Sequence, residues 1–336
     1  MSENASHIIK EIFEPDNAAW ENLALKIFAF QYGHNTVYRQ FCDALKIKVE
    51  DVHTTEAIPF LPIQFFKTHK VTTGDFEPEL IFESSGTSGS INSKHFVKDA
   101  GVYEQSFLKG FEKFYGDPGQ CCIIGLLPSY LEKGNSSLVY MVNDLVKRSG
   151  DENSGFYLYD HEKLAQTLEA NEAKGRRTIL IGVTYALLDF AEKFLVPLKN
   201  TIIMETGGMK GRREELTREE VHEKLQQQFG MPAVHSEYGM TELLSQGYSS
   251  GKGIFYPSPT MKILLRAEDD PFEVSAIVPS EKQFTTGVIN VIDLSNIYSC
   301  SFIATDDMGK LYPDGSFEVL GRLDNSDIRG CGLMIL

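Results

Sequence analysis

The central part of the chain alternates short apolar segments with longer segments in which apolar residues recur at helical spacing. The apolar segments are Leu80–Phe82, Cys121–Leu127, Thr178–Val183, Thr201–Met204 and the segment that opens at Ala233–Val234. Apolar strands that alternate with helices are typical of a parallel sheet covered by helices on both faces. The pattern therefore predicts an α/β fold class from about residue 80 onward.

The pattern changes after about residue 252. The segments Met261–Leu265, Val288–Asp293 and Phe317–Leu320 are predicted strands with no helices between them, and a turn is expected at 312–315. The first eighty residues look mostly helical and loop-like, with an extended stretch at 58–62. We expect one large domain over 1–322, α/β over about 80–250 and β-rich over 251–322, followed by a short tail at 323–336.

The net charge of the chain limits the kinds of molecule that we expect it to bind. The chain has 47 aspartates and glutamates against 32 lysines and arginines, a formal net charge of −15. An acidic surface repels phosphates, so we expect no nucleic-acid partner. Five cysteines without framework spacing, no signal-peptide pattern and no long apolar run predict a reduced, cytoplasmic protein with no membrane span.

A loop of small residues follows the first central strand. Small residues allow close approach of the backbone, so that N–H groups and hydroxyls can surround phosphate oxygens. The candidate phosphate-binding residues are Ser84, Ser85, Gly86, Thr87, Ser88 and Gly89. Lys94 could add a positive charge to this loop. A flexible surface loop is the alternative, and no Walker pattern is present.

A second motif spans 236–242. Tyr238 offers an aromatic face to a base, Thr241 a hydroxyl to a phosphate and Glu242 a hard oxygen to Mg²⁺. The alternative is a strand-to-helix turn with Thr241 near a helix N-cap.

A third motif follows the strand that ends near Met204. The glycine pair Gly207 and Gly208 permits close approach of a flat ring or a phosphate. The alternative is a simple helix start in which Arg212 and Arg213 are solvated.

A fourth motif combines 305–309 with 321–324. The Asp307 carboxylate can accept hydrogen bonds from both hydroxyls of a ribose, and Arg322 can reinforce such a site. The alternative is two hairpin turns with acidic tips.

The order of these motifs resembles that of the adenylate-forming superfamily, which includes acyl-CoA synthetases, luciferases and peptide-synthetase adenylation domains. The series is S-S-G-T-S-G, G-G, Y-G-M-T-E, T-D-D and G-R-L-D, over about residues 80–330. The segments 205–213 and 238–242 look closest to phenylacetate–CoA ligases. The segments 58–70, 84–95 and 325–336 look more like LuxE-type acyl-protein synthetases, which feed a fatty acid to a reductase. The resemblance implies the fold of the superfamily's N-terminal domain, with parallel sheets covered by helices and a smaller β-rich subdomain.

The resemblance also implies a role for each motif residue. The loop 84–89 with Lys94 would hold the pyrophosphate of ATP. Gly207 and Gly208 would lie near the adenine and the acyl carbonyl, and Tyr238 with Gly239 would contact the adenine. Thr241 would contact the α-phosphate, and Glu242 would bind Mg²⁺. Asp307, with Arg322 beside it, would hold the ribose hydroxyls. Asp324 would stand at the hinge of the family. ATP/AMP and Mg²⁺ are therefore the expected cofactors, and coenzyme A is a further candidate.

The sequence departs from the family pattern at three places. Asp306 stands where the usual T-G-D triplet has glycine, and the residues that usually flank the loop lysine are missing around Lys94. The chain also stops twelve residues after Asp324, so we expect the mobile C-terminal domain of the family to be absent.

Cys331 lies between two glycines in the tail that remains. In the short acyl-protein synthetases that this tail resembles, a cysteine near the C-terminus accepts the acyl chain as a thioester. A thiolate is a good nucleophile near neutral pH, and Arg329 could favour that form. The alternative is a frayed tail with an incidental cysteine.

These observations favour ATP-dependent activation of a carboxylic acid, fatty or aryl, as an acyl-adenylate. Transfer to a protein cysteine would follow, with an acyl reductase or an acyl-carrier protein as partner. Three alternatives remain open. They are a coenzyme A ligase whose C-terminal domain is a separate chain, a nucleotide- or acyl-binding module without turnover, and a transferase that starts from acyl-CoA or acyl-phosphate.

Overall fold

A computed structural model describes residues 2–13, 19–84, 91–128, 132, 134–207, 216–276, 278 and 282–323. Several predicted site residues lie outside these ranges, namely Ser85, Gly86, Thr87, Ser88, Gly89, Gly208, Asp324 and Cys331. The predicted division of the chain at residue 322 stays a prediction.

Helices dominate the N-terminal part and alternate with strands in the middle of the chain. Their bounds are α1 Ser2–Phe13, α2 Trp20–His34, α3 Thr36–Ala44, α4 Phe65–Thr68, α5 Ala100–Tyr115, α6 Ser137–Ser149, α7 His161–Ala173, α8 Thr184–Lys193 and α9 Arg218–Phe229. The last of these helices, the charged α9, begins at Arg218. It begins there because the Thr217 hydroxyl accepts from the Glu220 N–H while the Glu220 carboxylate accepts from the Thr217 N–H.

In the part of the chain that the structure describes, the strands form two large sheets and one hairpin. Their bounds are β1 Leu61–Pro62, β2 Leu80–Glu83, β3 Lys94–Val97, β4 Cys122–Leu126, β5 Gly155–Phe156, β6 Thr178–Gly182, β7 Thr201–Glu205, β8 His235–Tyr238, β9 Gly247–Ser249, β10 Tyr256–Pro257, β11 Met261–Arg266, β12 Val274–Ser275, β13 Thr285–Asp293, β14 Phe302–Leu311 and β15 Phe317–Arg322.

The first sheet has the order β10-β9-β8-β7-β6-β4-β5. From β5 to β8 all neighbours pair in parallel, and β9 and β10 add an antiparallel edge. All residues of β4 and β6 are buried, as expected for strands covered by helices on both faces. The predicted α/β fold class with a parallel sheet is confirmed.

The second sheet is antiparallel apart from β1, which runs parallel to β14. It packs with α1, α2 and α3 in a second apolar core. The motif at 305–309 lies inside β14 and pairs with β13 on one side and β15 on the other. The alternative of a hairpin turn at this place is therefore wrong. The turn predicted at 312–315 is confirmed between β14 and β15.

The strand predicted at Leu80–Phe82 exists, but it lies outside the parallel sheet. It pairs antiparallel with β3 in a separate hairpin, with Leu80 opposite Val97. The Ser84 N–H donates to the Ser93 carbonyl at 3.1 Å, so the chain returns directly beside itself. A parallel neighbour would instead require a long crossover connection.

Candidate functional site

The base of the small-residue loop is closed by two serines. The Ser93 N–H donates to the Ser84 hydroxyl at 2.9 Å, in addition to the backbone bond between the same residues. The predicted loop lysine stands at the start of β3, where Lys94 Nζ lies 3.4 Å from Glu83 Oε1. The Lys94 side chain is half exposed, so this ion pair contributes little to stability. Lys94 thus lies beside the base of the loop, and its ammonium group forms an ion pair with Glu83.

The second motif ends β8 and turns back into another strand. After Tyr238 the chain reverses into β9, which pairs antiparallel with β8. The alternative of a strand-to-helix turn at Thr241 is therefore wrong. Asp293, the last residue of β13, accepts hydrogen bonds from two N–H groups of this turn, those of Leu244 at 2.7 Å and Ser245 at 3.0 Å. Asp293 is fully buried, and burial raises its pKa to about 6 although these hydrogen bonds oppose the shift.

Glu242 is a nearly buried carboxylate at the centre of this turn. Only 6 % of the residue is exposed, and burial raises the pKa of its carboxyl. A hydrogen bond from Ser93 and the positive charges of Arg322 and Lys67 oppose that shift. The Glu242 carbonyl accepts from Asn296 Nδ2 at 2.7 Å, which fixes the backbone. The turn therefore carries a buried carboxylate on a fixed backbone, and the positive charges of Arg322 and Lys67 favour its ionised form.

His95 joins the hairpin to this turn. Its Nδ1 lies 2.9 Å from the Thr241 carbonyl, and Nδ1 must carry the proton because a carbonyl only accepts. The ring is buried, and burial lowers its pKa to about 4. Sequence reasoning missed His95, because no motif marks a histidine whose partner is 146 residues away.

Tyr238 and the fourth motif meet across the two sheets. The Tyr238 hydroxyl donates to Asp307 Oδ2 at 3.0 Å, and its ring packs on Phe317 with centroids 5.3 Å apart. Asp307 faces Arg322 in the register of β14 and β15, with Arg322 Nε 3.6 Å from Asp307 Oδ1. Burial raises the pKa of Asp307, while the Tyr238 hydrogen bond and the Arg322 charge lower it. Three predicted residues thus form one cluster.

Asp306, which stands where the family has glycine, has its own partner. Gln64 Nε2 lies 2.6 Å from both carboxylate oxygens of Asp306. This contact ties α4 and the segment before it to the strand that carries Asp307. Sequence reasoning did not identify Gln64.

Gly207 lies two residues after the end of β7, which neighbours β8 in the sheet. Its φ of +76° is in the left-handed region that favours glycine. The Gly207 N–H donates to Glu205 Oε1 at 2.7 Å, and the same oxygen accepts from the Thr184 hydroxyl. Glu205 is buried, so it fixes the backbone at the place where the predicted glycine pair begins.

Gly239 leaves room for a neighbouring carboxyl. A Cβ at this position would collide with Glu237 Oε1. Burial, and then the charge of Glu205, raise the pKa of Glu237 to about 8. A nearly neutral carboxyl therefore packs against the glycine of the Y-G-M-T-E motif.

Those predicted residues that the structure describes lie at one edge of the parallel sheet. Ligands of open parallel sheets bind beyond the carboxyl ends of the strands, where Gly207 and Tyr238 stand. The cluster of Tyr238, Asp307 and Arg322 offers hydrogen bonds to vicinal hydroxyls, and Glu242 offers an oxygen to a hard cation.

Within the described ranges, no group of three or more His, Cys, Asp or Glu side chains could hold a metal ion. In those same ranges, no helix has the length and apolarity that a membrane crossing requires.

Comparison with known proteins gives one family. Residues 13–336 match the family described as "Acyl-protein synthetase, LuxE". No curated protein matches the chain.

Solved structures share the fold. The ATP-bound MatB from Rhodopseudomonas palustris superimposes with a TM-score of 0.52 and 19% identity, covering 74% of this chain and 49% of MatB. An open conformation of 2-hydroxyisobutyryl-CoA ligase, in complex with 2-HIB-AMP and CoA, gives a TM-score of 0.63 and 12% identity, covering 91% of this chain and 70% of the ligase. The chain thus spans about half the length of MatB. At these identities the likeness shows the fold alone.

Proposed function

Because the chain belongs to the LuxE family of acyl-protein synthetases, we propose that it activates a carboxylic acid with ATP and transfers the acyl group to a thiol. The observation that carries the proposal is the cluster of Tyr238, Asp307 and Arg322 beside the Thr241–Glu242 turn. The cluster has groups that could hydrogen-bond to a ribose, and the turn has a carboxylate that could bind a cation held by phosphates. Both lie at the same edge of the sheet. A fatty or aryl acid is the proposed substrate.

The first step forms an acyl-adenylate. A carboxylate oxygen of the acid attacks the α-phosphorus of ATP. The bond between this phosphorus and the oxygen that bridges it to the β-phosphorus then breaks, and pyrophosphate leaves. In our proposal Asp307 and Arg322 hold the ribose hydroxyls, and Thr241 contacts the α-phosphate. Tyr238 and Gly239 stand at the adenine. Gly207 with Gly208 lies near the adenine and the acyl carbonyl. The loop Ser84–Gly89, with Lys94, holds the departing pyrophosphate.

Glu242 fits a divalent cation by its donor chemistry. Mg²⁺ prefers hard oxygen ligands and is commonly held by one or two carboxylates together with substrate phosphates. The Asn296 contact fixes the Glu242 backbone, and the Glu242 carboxylate is close enough to Ser93, at the base of the loop, to accept its hydrogen bond. When bound there, Mg²⁺ would offset negative charge on the phosphates.

The second step moves the acyl group to sulfur. A thiolate attacks the acyl carbonyl carbon, the bond to the AMP oxygen breaks, and AMP leaves with its electron pair. We propose Cys331 as this thiol, since the family acts on protein acceptors by its description and Cys331 has glycine on both sides. An acyl reductase or an acyl-carrier protein is the proposed partner that receives the group next.

One experiment tests both steps. The protein is incubated with labelled fatty or aryl acids, Mg²⁺ and ATP, and acid-dependent pyrophosphate exchange and protein-bound label are measured. We expect exchange, and label that neutral hydroxylamine removes. The described cysteines, Cys42, Cys121, Cys122 and Cys300, are all buried, so the label should be lost in Cys331→Ser and kept in Cys42→Ser. No exchange with any acid would contradict the proposal, and label that survives Cys331→Ser would exclude Cys331.

A coenzyme A ligase is the second candidate. One solved structure that shares the fold is a CoA ligase in complex with CoA. Free acyl-CoA as product, with exchange intact and no protein-bound label, would favour this candidate.

A further inference from the structure

Strand β14 carries a large bulge at the place where Asp307 stands. The residue pairs that flank the irregularity with β13 are Val288 with Met308 and Asn290 with Ala304. One residue of β13, Ile289, therefore lies opposite three residues of β14, at 305–307. A bulge bends its strand and changes the direction in which a side chain points, and bulges are frequent next to active sites. The direction of the Asp307 side chain thus depends on how this bulge is held.

On the side of β14 that faces away from β13, the bulge lies in a gap between two partner strands. There β1 pairs as far as Ala304, and the pairing of β15 begins at Asp307. Asp306 lies in the gap and contacts both neighbours. Its carboxylate accepts from Gln64 Nε2 at 2.6 Å, just after β1, and its carbonyl accepts from the Leu323 N–H at 2.7 Å, just after β15. These contacts take the place of the ladder bonds that a continuous partner strand would supply.

Arg266 of β11 holds the bulge on the other side. Its guanidinium donates to the Thr305 carbonyl at 2.6 Å, to the Ile289 carbonyl at 3.3 Å and to Asn290 Oδ1 at 2.5 Å. The Thr305 hydroxyl donates to the Ile289 carbonyl at 2.7 Å and accepts from the Asp307 N–H at 3.1 Å. The backbone of the bulge is therefore fixed toward β13 by these bonds and toward β1 by Asp306.

We propose that Asp306 and Gln64 are positioning residues that aim the Asp307 carboxylate at the ribose hydroxyls of the bound nucleotide. This inference rests on the proposed function, in which Asp307 holds the ribose. A carboxylate can accept from both hydroxyls of a ribose when it faces them. Loss of the Gln64 contact frees the Asp306 side chain, and Asp307, the next residue in the chain, loses its orientation. The contact should therefore strengthen the binding of the ribose hydroxyls and leave the contacts to the base and the phosphate unchanged.

The test compares two nucleotides on the full chain. AMP carries both ribose hydroxyls, whereas 2′,3′-dideoxy-AMP lacks them and keeps the base and the phosphate. Titration calorimetry gives the dissociation constant of each, and their ratio measures what the hydroxyls contribute. Thermal unfolding checks the fold of each variant, and acid-dependent pyrophosphate exchange gives KM for ATP and the maximal rate.

The variants remove the contact and then rebuild it with its roles exchanged. Gln64→Met removes the donor without a change of charge, and Gln64→Glu places a second acceptor against Asp306. The double variant Gln64→Glu with Asp306→Asn again has one acceptor and one amide donor, and it keeps the net charge of the wild type. Gln227→Glu, at an exposed glutamine of α9, is the matched control.

We expect the wild type to bind AMP about 10- to 100-fold more tightly than dideoxy-AMP, as hydrogen bonds to a charged group allow. In Gln64→Met and Gln64→Glu this ratio should fall about fivefold or more, while dideoxy-AMP affinity stays within about threefold of the wild type. The double variant should return to within about twofold of the wild-type ratio, and Gln227→Glu should not differ from the wild type. KM for ATP should rise in the two single variants at Gln64, with the maximal rate within about threefold, because uniform binding is lost.

Each other outcome contradicts the proposal in a different way. If both single variants at Gln64 keep the wild-type ratio, the contact does not orient Asp307 and the proposed function stands. If AMP and dideoxy-AMP lose affinity equally, or the double variant recovers nothing, the pair has a structural role alone. If the wild type binds both nucleotides alike, Asp307 does not hold the ribose and the inference fails with that assignment. If the wild type shows no exchange with any acid, the proposed function itself fails.

Discussion

Tyr238 and Asp307 are 69 residues apart, yet the hydroxyl of the first donates to Oδ2 of the second at 3.0 Å. Tyr238 ends a strand of the parallel sheet, and Asp307 lies inside a strand of the antiparallel sheet. Both side chains are nearly buried, so the contact is shielded from water. It links the two sheets at the place where we propose that adenine and ribose bind.

Tyr238→Phe should weaken nucleotide binding while keeping the aromatic ring. The loss of one hydrogen bond to a carboxylate leaves Asp307 less well oriented, and we expect ATP and AMP affinity to fall about tenfold. Titration calorimetry with each nucleotide measures the change. Tyr256→Phe, at an exposed tyrosine, is the matched control and should bind as the wild type does. Equal affinity in both variants would show that this contact does not prepare the ribose site.

Glu242→Gln should weaken the dependence of the rate on Mg²⁺ more than it weakens the binding of nucleotide. Glutamine keeps the shape of the side chain but removes the charge that would hold a divalent cation. We expect the maximal rate of pyrophosphate exchange to fall by about 100-fold or more. The Mg²⁺ concentration for half-maximal rate should rise as well.

The control for this change is Glu219→Gln, which removes an exposed glutamate from α9. AMP affinity without metal should be equal in the wild type and both variants. Undiminished exchange in Glu242→Gln would exclude Glu242 as the metal ligand.

The buried parallel strands could be predicted from sequence almost to the residue. The segments predicted at Cys121–Leu127 and Thr178–Val183 are strands at Cys122–Leu126 and Thr178–Gly182. A continuous apolar run of this length has few other ways to bury both of its faces, so pattern and structure agree. The 305–309 segment is polar, and its place inside β14 depends on pairing with β13 and β15 rather than on local pattern.

The contacts that position the site could not be predicted. His95 with Thr241, Gln64 with Asp306 and Asn296 with Glu242 join residues far apart in the chain. None of them belongs to a spacing motif, because each depends on how separate elements pack. Sequence motifs therefore identified the groups proposed to meet the substrate, and only the structure shows the side chains that hold them.

Asp293→Asn should destabilise the fold through the 240–246 turn. Asp293 accepts from the Leu244 and Ser245 backbone and from the Ser245 hydroxyl at 2.6 Å, and an amide cannot accept all of these bonds. We expect the free energy of unfolding in urea to fall by about 1–3 kcal/mol. Asp269→Asn, at an exposed carboxylate, should cause no measurable loss. A variant as stable as the wild type would show that the turn does not depend on this acceptor.

His95 should make the stability of the fold depend on pH. In the folded protein burial lowers the pKa of His95 to about 4, against an ordinary value of 6.5 in an unfolded chain. Between these two pH values the unfolded chain binds a proton that the folded chain excludes. The free energy of unfolding should therefore fall as the pH is lowered from 7 toward 4, with about 2 kcal/mol lost by pH 5 from this group alone.

His95→Gln isolates the contribution of the ring. Its amide can still donate to the Thr241 carbonyl, but it does not titrate, so its free energy of unfolding should fall less than that of the wild type between pH 7 and pH 5. Urea unfolding at several pH values gives the difference. His53→Gln, which removes an exposed ring, should follow the wild-type curve. Parallel curves for the wild type and His95→Gln would mean that His95 titrates alike in the folded and unfolded chains, and would contradict its burial against Thr241.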